Sequence, residues 1–337
     1  MPKAAKKVVE RRKNTPYDII QPDVSESGGI QIVSYSELDT FRQCPLKHHL
    51  LYQRRWTKGV KLGSALDKGS LWHLVMEDHY GVIKAWQDRN RRRMSAIAER
   101  KVLEVAYKLV HQRLHDPDTG EYYSEVHELI MWMYEGYIEM YGADVNWRIT
   151  GIEHQIKVPL LNAKGEASRY VLKAKLDLII REWDSGNLWI IDHKSGANLP
   201  TQMDLEIDDQ FGLYTWLMRR IGKPVMGSLH SAARTTRNVG DWPNATKGKA
   251  QTLEQRMSRT YLNRGEMELT NLALDAYYAA KAAYPDDPAY AARYSSPDPR
   301  SCGWKCDVKE PHLVMRSGAN PDKVMIDYGF KVDRTRH

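Results

Sequence analysis

The apolar residues in the first half of the chain recur with the spacing of a helix. Over residues 63–141 they fall at three- and four-residue intervals, for example at Val102, Val105 and Leu109. This spacing places their side chains on one helix face, where they can pack against a core. The pattern therefore predicts a helical region over residues 29–145.

The start of this region carries the signals of a short helix. Ser36 is a candidate N-cap, and Pro45, directly after Cys44, interrupts the helix because it lacks a backbone N–H. Residues 1–28 are basic and then rich in proline, serine and glycine, so we expect a flexible tail there.

The hydrophobic period changes near Trp147, where short runs rich in β-branched residues replace the helical spacing. Three such runs are separated by turn-forming residues: 149–161, 170–180 and 188–191. Runs of this kind are typical of a strand meander, and helical spacing returns over residues 208–221. We therefore predict an α/β (α+β) core over residues 146–235, with a central mixed sheet flanked by helices.

The last third of the chain again favours helices. We expect a helix over residues 247–281, followed by a proline-rich loop over residues 284–300 that leads to Cys302 and Cys306. Residues 236–337 are therefore assigned to a second helical region that ends in a loop.

Composition places limits on the class of protein. The 337 residues are 42% hydrophobic and 28% charged, which supports a folded core of one large or two ordinary domains. The sequence has no apolar stretch of about 18 residues and no secretory signal, so we expect no membrane contact. Its three cysteines cannot form a disulfide framework, which favours a reducing, cytoplasmic location.

Charge and nucleotide motifs add little by themselves. A net charge of +7 and a pI of about 9.1 only weakly favour a polyanionic partner, and many basic proteins do not bind nucleic acid. Neither a G-x-x-x-x-G-K-[ST] loop nor a G-x-G-x-x-G turn after a strand is present. We therefore expect no nucleotide cofactor.

The run that ends in Asp192, His193 and Lys194 carries the strongest chemical signal. Side chains alternate along a strand, so Asp192 and Lys194 would emerge on the same side. Taken alone, such a pair is most often a plain salt bridge. Asp177 changes this interpretation, because a carboxylate inside an apolar run needs a partner or a metal. Two such carboxylates could share one divalent cation beside the lysine, which suits phosphodiester hydrolysis.

This pattern, Asp177 followed by Asp192-x-Lys194, resembles the PD-(D/E)XK nuclease signature in the form found in RecB-type nuclease domains. Further elements match that family in the order of the chain: Gly69-x-x-x-His73-x-x-x-Glu77, Glu153 and Gln210-x-x-x-Tyr214. The resemblance covers residues 69–214. It implies a restriction-endonuclease-like core that cleaves DNA with Mg²⁺ or Mn²⁺.

The resemblance also implies roles for individual residues. The implied metal ligands are His73, Asp177, Asp192 and the backbone carbonyl of His193. The implied catalytic residues are Lys194, Asp177, Asp192, Glu153, Gln210 and Tyr214, of which the last two would brace the site against DNA. Three positions depart from relatives without removing a ligand: Ala174 replaces glycine, Asp192 replaces the commoner glutamate, and His193 replaces tyrosine.

Cysteines bracket this region, with Cys44 on one side and Cys302-x-x-x-Cys306 on the other. Three buried free thiols are the simplest interpretation. The layout nevertheless resembles RecB-type nucleases such as the AddB helicase–nuclease subunit and the CRISPR-adaptation nucleases, in which four cysteines hold a 4Fe-4S cluster. His312 stands in the place of the fourth cysteine. The resemblance implies an iron–sulfur cluster on these four residues as a C-terminal staple, with structural zinc as the alternative.

Together these features favour a metal-dependent DNA exonuclease that acts on single-stranded or duplex ends in recombination, repair or phage DNA processing. Its expected setting is the cytoplasm of a bacterium or of a phage-infected host, with a helicase or a single-strand annealing protein as partner. Two alternatives stay open: an endonuclease like those of CRISPR adaptation, and a catalytically silent DNA-binding module.

Overall fold

A computed structural model of the chain describes residues 18–19, 29–59, 64–114, 124–285, 302–303 and 306–333. The flexible tail predicted over residues 1–28 lies outside these ranges, apart from two residues that form a short strand. No helix within the described ranges is long and apolar enough to cross a membrane.

The strands and helices alternate in blocks along the chain. The described strands are β1 Asp18–Ile19, β2 Gln31–Ser34, β3 Trp56–Thr57, β4 Trp147–Leu161, β5 Ala167–Glu182, β6 Leu188–Gly196, β7 Val225–Arg234, β8 Met257–Leu262 and β9 Lys331–Val332. The described α-helices are α1 Tyr35–Gln43, α2 Pro45–His48, α3 Ala65–Asn90, α4 Ala96–Leu114, α5 Ser124–Tyr141, α6 Gln202–Glu206, α7 Asp209–Arg220, α8 Leu253–Arg256, α9 Glu266–Ala283, α10 Lys309–Met315 and α11 Pro321–Asp327.

Seven of the strands form one mixed sheet in the order β1-β4-β5-β6-β7-β8, and β2 pairs with β5 outside this path. β5 and β6 are antiparallel, whereas β6 and β7 are parallel, with Lys194 opposite Ala232. β8 lies at the edge, antiparallel to β7. A central mixed sheet with flanking helices confirms the predicted α/β class and is consistent with a restriction-endonuclease-like fold.

The chain divides into two compact units that interleave along the sequence. The first comprises residues 18–19 and the described parts of 61–157 and 174–269. Its core is built mainly from α3, α5 and the sheet. The largest fully buried side chains of this unit are Trp72, Met76, Tyr80, Ile83, Leu114, Ile130, Met133, Tyr134, Tyr137, Ile156 and Phe211. All residues of the predicted PD-(D/E)XK pattern lie in this unit.

The second unit comprises the described parts of residues 20–60, 158–173 and 270–337. It has a smaller apolar core of its own: Leu50, Trp56, Val308, Met325 and Phe330. Within this unit β3 pairs with β9. The domain boundaries predicted from the sequence stay a prediction.

The first helix begins two residues earlier than predicted. Its N-cap is Ser34 rather than Ser36, because the Ser34 hydroxyl accepts a hydrogen bond from Glu37 N at 3.3 Å. The predicted interruption is confirmed, since α1 ends at Gln43 and Pro45 begins α2. The long helical stretch that follows is also divided, and α3 ends at a left-handed cap residue, Arg91, with φ +51°.

The single helix predicted over residues 247–281 is wrong in its first part. The short helix α8, Leu253–Arg256, is followed by β8, Met257–Leu262, and the long helix begins only at Glu266. Strand pairing prevails there because it buries both ends of the segment and brings Arg259 to Asp144.

The sequence also fails to predict β7. Its buried positions include Ser228, His230 and Ser231, so the strand lacks a continuous apolar run. Ser228 Oγ is satisfied by the Phe211 carbonyl at 3.3 Å, a tertiary contact that no local pattern reveals.

Candidate active site

Two carboxylates and a lysine meet where β5 and β6 lie side by side. The register of the two strands brings Asp177 and Asp192 to neighbouring positions, and Lys194 follows on the same side as Asp192. The backbone N–H of His193 donates a hydrogen bond to Asp177 Oδ2 at 2.8 Å. The structure therefore brings together the three charged residues that the sequence pattern singles out.

Asp192 is a buried carboxylate held by two donors. Lys194 Nζ donates to Oδ1 at 3.2 Å and lies 2.9 Å from Oδ2, where the angle allows an ion pair but not a hydrogen bond. Gln210 Nε2 donates to Oδ1 at 3.4 Å. Burial raises the pKa of Asp192 to about 6, against the lowering effect of Lys194. Burial disfavours the charged lysine, but Asp192 outweighs this and raises the pKa of Lys194, so the lysine is a cation.

Helix α7 supplies a brace for this carboxylate. Gln210 lies in its first turn, where Asp208 accepts a hydrogen bond from Gln210 N at 2.9 Å. One turn later, the Tyr214 hydroxyl accepts a hydrogen bond from Gln210 Nε2 at 2.9 Å. Burial raises the pKa of Tyr214 to about 12, so this hydroxyl stays protonated at neutral pH.

His73, from α3, lies against the other carboxylate. Its Nδ1 is 3.2 Å from Asp177 Oδ2. Burial opposes protonation of His73, but the hydrogen bond and the charge of Asp177 outweigh it and raise the pKa of the imidazole. Burial likewise acts to raise the pKa of Asp177, but His73 lowers it below its usual range. The histidine and the carboxylate thus stabilise each other's charged form.

Glu153, on β4, brings its carboxylate to the same site and has an unusual backbone conformation. Its φ is +50°, a left-handed value that a non-glycine residue within a strand rarely adopts. The alternation of buried and exposed side chains along β4 breaks at residues 152–155. Glu153 forms an ion pair with Lys175, and burial raises the pKa of the carboxyl against the lowering effect of that lysine. Strained backbone of this kind is often found at functional sites.

Among the residues that the structure describes, His73, Glu153 and Asp177 are the one set of three His, Cys, Asp or Glu side chains whose ligand atoms all lie within 4.8 Å of one another. Two carboxylates and an imidazole fit a divalent cation such as Mg²⁺ or Mn²⁺. Glu153, expected as a catalytic residue, belongs to this set. Asp192, expected as a ligand, lies outside it, although its charge still acts on His73.

Unlike Asp192 and Lys194, the His193 side chain takes no part in the hydrogen bonds of the site. Its imidazole is 1% exposed and stacks on Tyr80 with ring centroids 5.5 Å apart. Neither ring nitrogen has a hydrogen-bond partner within the described residues, and burial lowers the pKa to about 3, so the ring is neutral. The His193 side chain therefore packs in the buried core. The proposal that the His193 carbonyl is a metal ligand stays a prediction.

A cavity of about 440 Å³ opens onto the His73–Glu153 side of the site, and its lining comprises Gly69, Ser70, His73, Leu74, Glu77, Glu153 and Lys175. Sequence reasoning missed Lys175, although it lies two residues before Asp177 and therefore emerges on the same side of β5. Glu77 lies one helical turn after His73, which places it on the same helix face.

The predicted C-terminal staple is not assembled in the described part of the chain. Cys44, Cys302 and Cys306 are free and half-buried, and with His312 they form no set with ligand atoms within 4.8 Å of one another. Burial raises the pKa of the Cys306 thiol. Cys44 Sγ instead caps α2, accepting a hydrogen bond from Lys47 N at 3.5 Å. The iron–sulfur cluster and the zinc alternative are therefore not supported.

Comparison with known proteins places the chain in one family. The family model of the PD-(D/E)XK nuclease superfamily matches residues 32–310. No curated protein is significantly similar to the chain. One solved structure, the crystal structure of SSO0001, has 13% sequence identity and a TM-score of 0.34, and the match covers 90% of this chain and 94% of that one. A likeness of that size carries no argument about function.

Proposed function

The chain belongs to the PD-(D/E)XK nuclease superfamily, and we propose that it is a metal-dependent deoxyribonuclease that hydrolyses phosphodiester bonds at DNA ends. The observation that carries this proposal is the meeting of Asp177, Asp192 and Lys194 on two paired strands, with His73 and Glu153 beside them. Cleavage of a phosphodiester requires stabilisation of negative charge that develops in the transition state, and this group of residues supports such stabilisation.

The metal site of this proposal consists of His73, Glu153 and Asp177. Carboxylate oxygens suit Mg²⁺, and the imidazole favours Mn²⁺. A cation bound there would lower the pKa of an attacking water and polarise the scissile phosphate.

Lys194 is the chain's own electrostatic group in this mechanism. Its ammonium, paired with Asp192, would orient the attacking water and offset the charge on the phosphate oxygens. Its raised pKa favours a role as a permanent cation rather than as a proton acceptor. Gln210 holds Asp192 from a second direction, and Tyr214 in turn fixes Gln210. These two residues therefore act as positioning residues.

The narrower parts of the proposal rest on the resemblance to RecB-type domains. We propose action on DNA ends in recombination, repair or phage DNA processing, with a helicase or a single-strand annealing protein as the partner. A catalytically silent module is disfavoured, because decay normally removes an acid or the lysine, and Asp177, Asp192 and Lys194 are all present.

The test compares linear duplex, linear single strand and covalently closed circular duplex in the presence of Mg²⁺ or Mn²⁺. We expect linear DNA to be degraded and the closed circle to persist. Rapid nicking of the circle would contradict action at ends and favour the endonuclease alternative. No cleavage of any DNA would contradict the nuclease proposal itself. Lys194→Ala protein, purified in the same way, controls for contaminating nucleases.

A further inference from the structure

A ladder of tryptophan and arginine side chains lies on the loop that follows β7 and on its neighbours. The Arg237 guanidinium lies 5.1 Å from the ring centre of Trp242 and 5.3 Å from that of Trp132. The Arg256 guanidinium lies 4.0 Å from the ring centre of Trp132. These four residues are called the Trp–Arg ladder below. The attraction between a guanidinium and the aromatic ring that it covers holds both side chains in place.

The ladder ends in an exposed aromatic ring. Trp242 is 53% exposed, whereas most large apolar side chains around α5 are buried. Such exposure of tryptophan costs apolar burial, so a binding role explains it better than packing does.

The guanidinium groups of the ladder bond to the backbone rather than to carboxylates, although the charges of Asp241 and Glu135 act on both of them. Within the described residues, neither Arg237 nor Arg256 forms an ion pair, and each donates to a backbone carbonyl instead, Arg237 to Glu128 and Arg256 to Trp132. Residues 234–249 contain four basic residues and one acidic residue. This loop therefore has a net positive charge, which suits it to contact phosphates.

The loop that presents Trp242 is fixed by its own hydrogen bonds. Gln251 N donates to Asp241 Oδ1 at 2.8 Å, and Gln251 Nε2 donates to Thr236 O at 2.8 Å. At Gly240 an added Cβ would meet the backbone N of Ala250 at 2.5 Å, so the two limbs of the loop are in close contact. A pre-ordered loop loses little entropy on binding.

The same loop begins next to the strand end that carries Lys194. Lys194 pairs with Ala232 in the parallel register of β6 and β7. Two residues later the strands end together, and Thr235 N donates to Gly196 O at 2.8 Å. The ladder and the candidate active site thus belong to one unit, and the loop that carries Arg237 and Trp242 leaves β7 beside the end of β6.

We propose that the Trp–Arg ladder binds single-stranded DNA, with Trp242 stacked on a nucleobase and the basic residues around it contacting phosphates. Aromatic stacking beside cations is the usual way in which proteins bind single strands without sequence preference. Bases in a duplex are already stacked, so this surface selects a strand with free bases. The inference rests on the proposed function, because it assigns a single-stranded segment to the substrate of the same nuclease.

The test measures the affinity for a labelled oligo(dT) strand in EDTA, where metal-dependent cleavage does not occur. Trp242→Ala should weaken binding about 5- to 150-fold, the range expected for the loss of one stacked base. Trp242→Phe should retain most of the affinity, because it keeps an aromatic face. Tyr278→Ala is the matched control, since Tyr278 is 50% exposed and lies outside the ladder, and it should bind as the wild type does.

An abasic strand of the same length separates stacking from charge. We expect Trp242→Ala to bind it as tightly as the wild type, with an unchanged melting temperature. Equal losses on the abasic and oligo(dT) strands, or oligo(dT) binding unaffected by Trp242→Ala, would overturn the stacking role. If the wild type cleaves no DNA, the proposed function is wrong. The role of the ladder would still be tested, because the binding assay does not depend on cleavage.

Discussion

Lys194 Nζ lies 2.9 Å from Asp192 Oδ2, and the two side chains leave the same side of β6. Each partner alters the other's proton affinity, since Asp192 is buried and Lys194 forms an ion pair with it. This pair lies between the buried sheet and the candidate active site.

Lys194→Ala should lower kcat on DNA by a factor of about 10²–10³, the usual effect of losing one preorganised electrostatic group. The fold should survive, because Asp192, whose pKa is already raised, can take up a proton once its partner is gone. Steady-state rates and melting curves check both points. Lys175→Ala, which removes a cation paired with Glu153, is the comparison and should cost less. A wild-type rate in Lys194→Ala would refute the assignment of this site.

His73→Ala should weaken Mn²⁺ binding at least tenfold and Mg²⁺ binding less. The reason is that imidazole is a better ligand for the softer ion, while the two carboxylates remain. Calorimetric titration of the DNA-free protein with each metal measures this directly. Asp88→Asn, which changes a carboxylate 59% exposed on the same helix, should leave both affinities unchanged. Unchanged Mn²⁺ binding in His73→Ala would show that His73 is not a ligand.

The parts of the site that the sequence predicts are those with local spacing. Asp192 and Lys194 follow the two-residue period of a strand, and Gln210 and Tyr214 follow the helical turn. Lys175 shares the strand period with Asp177, so the same reasoning could have found it.

The features that the sequence does not predict depend on contacts between segments that are far apart in the chain. β7 is not predictable from the apolar pattern because it buries Ser228, His230 and Ser231, and Ser228 is satisfied by a carbonyl of another element. The left-handed backbone at Glu153 is likewise invisible in a sequence that contains no glycine there. The cysteine spacing suggested a metal cluster, yet the Cys44 thiol serves as a helix cap.

Asp144→Asn should lower the free energy of unfolding by about 3–5 kcal/mol, the usual cost of breaking a buried ion pair. Asp144 receives two hydrogen bonds from Arg259, at 2.6 and 2.8 Å, and both side chains are nearly buried. Asparagine tolerates the φ of +48° at this position, so the backbone should not change. Urea unfolding measures the difference.

The exposed pair of Arg54 and Asp322 provides the matched control. Its side chains are 46% and 51% exposed, so Asp322→Asn should cost at most about 1 kcal/mol. Similar losses in Asp144→Asn and Asp322→Asn would show that burial of the ion pair does not govern its contribution.

Acidification from pH 6 to pH 4.5 should destabilise the fold. Burial lowers the pKa of His79 and of His193 to about 3 and that of His230 to about 4, whereas an unfolded histidine titrates near 6.5. In this pH window the unfolded chain binds protons that the folded chain does not, so each histidine lowers the free energy of unfolding by about 1.4 kcal/mol per pH unit. Asp192 opposes them, because burial raises its folded pKa to about 6 and the folded chain then binds the extra proton.

Two variants should change the slope of the free energy of unfolding against pH in opposite directions. His79→Gln removes one of the three histidine contributions and should make the slope shallower by about 1.4 kcal/mol per pH unit. Asp192→Asn removes the opposing carboxyl and should make it steeper by a similar amount. Urea unfolding in EDTA across this range measures all three slopes. A wild-type protein that gains stability on acidification would show that the buried histidines become charged within the fold, which would contradict this prediction.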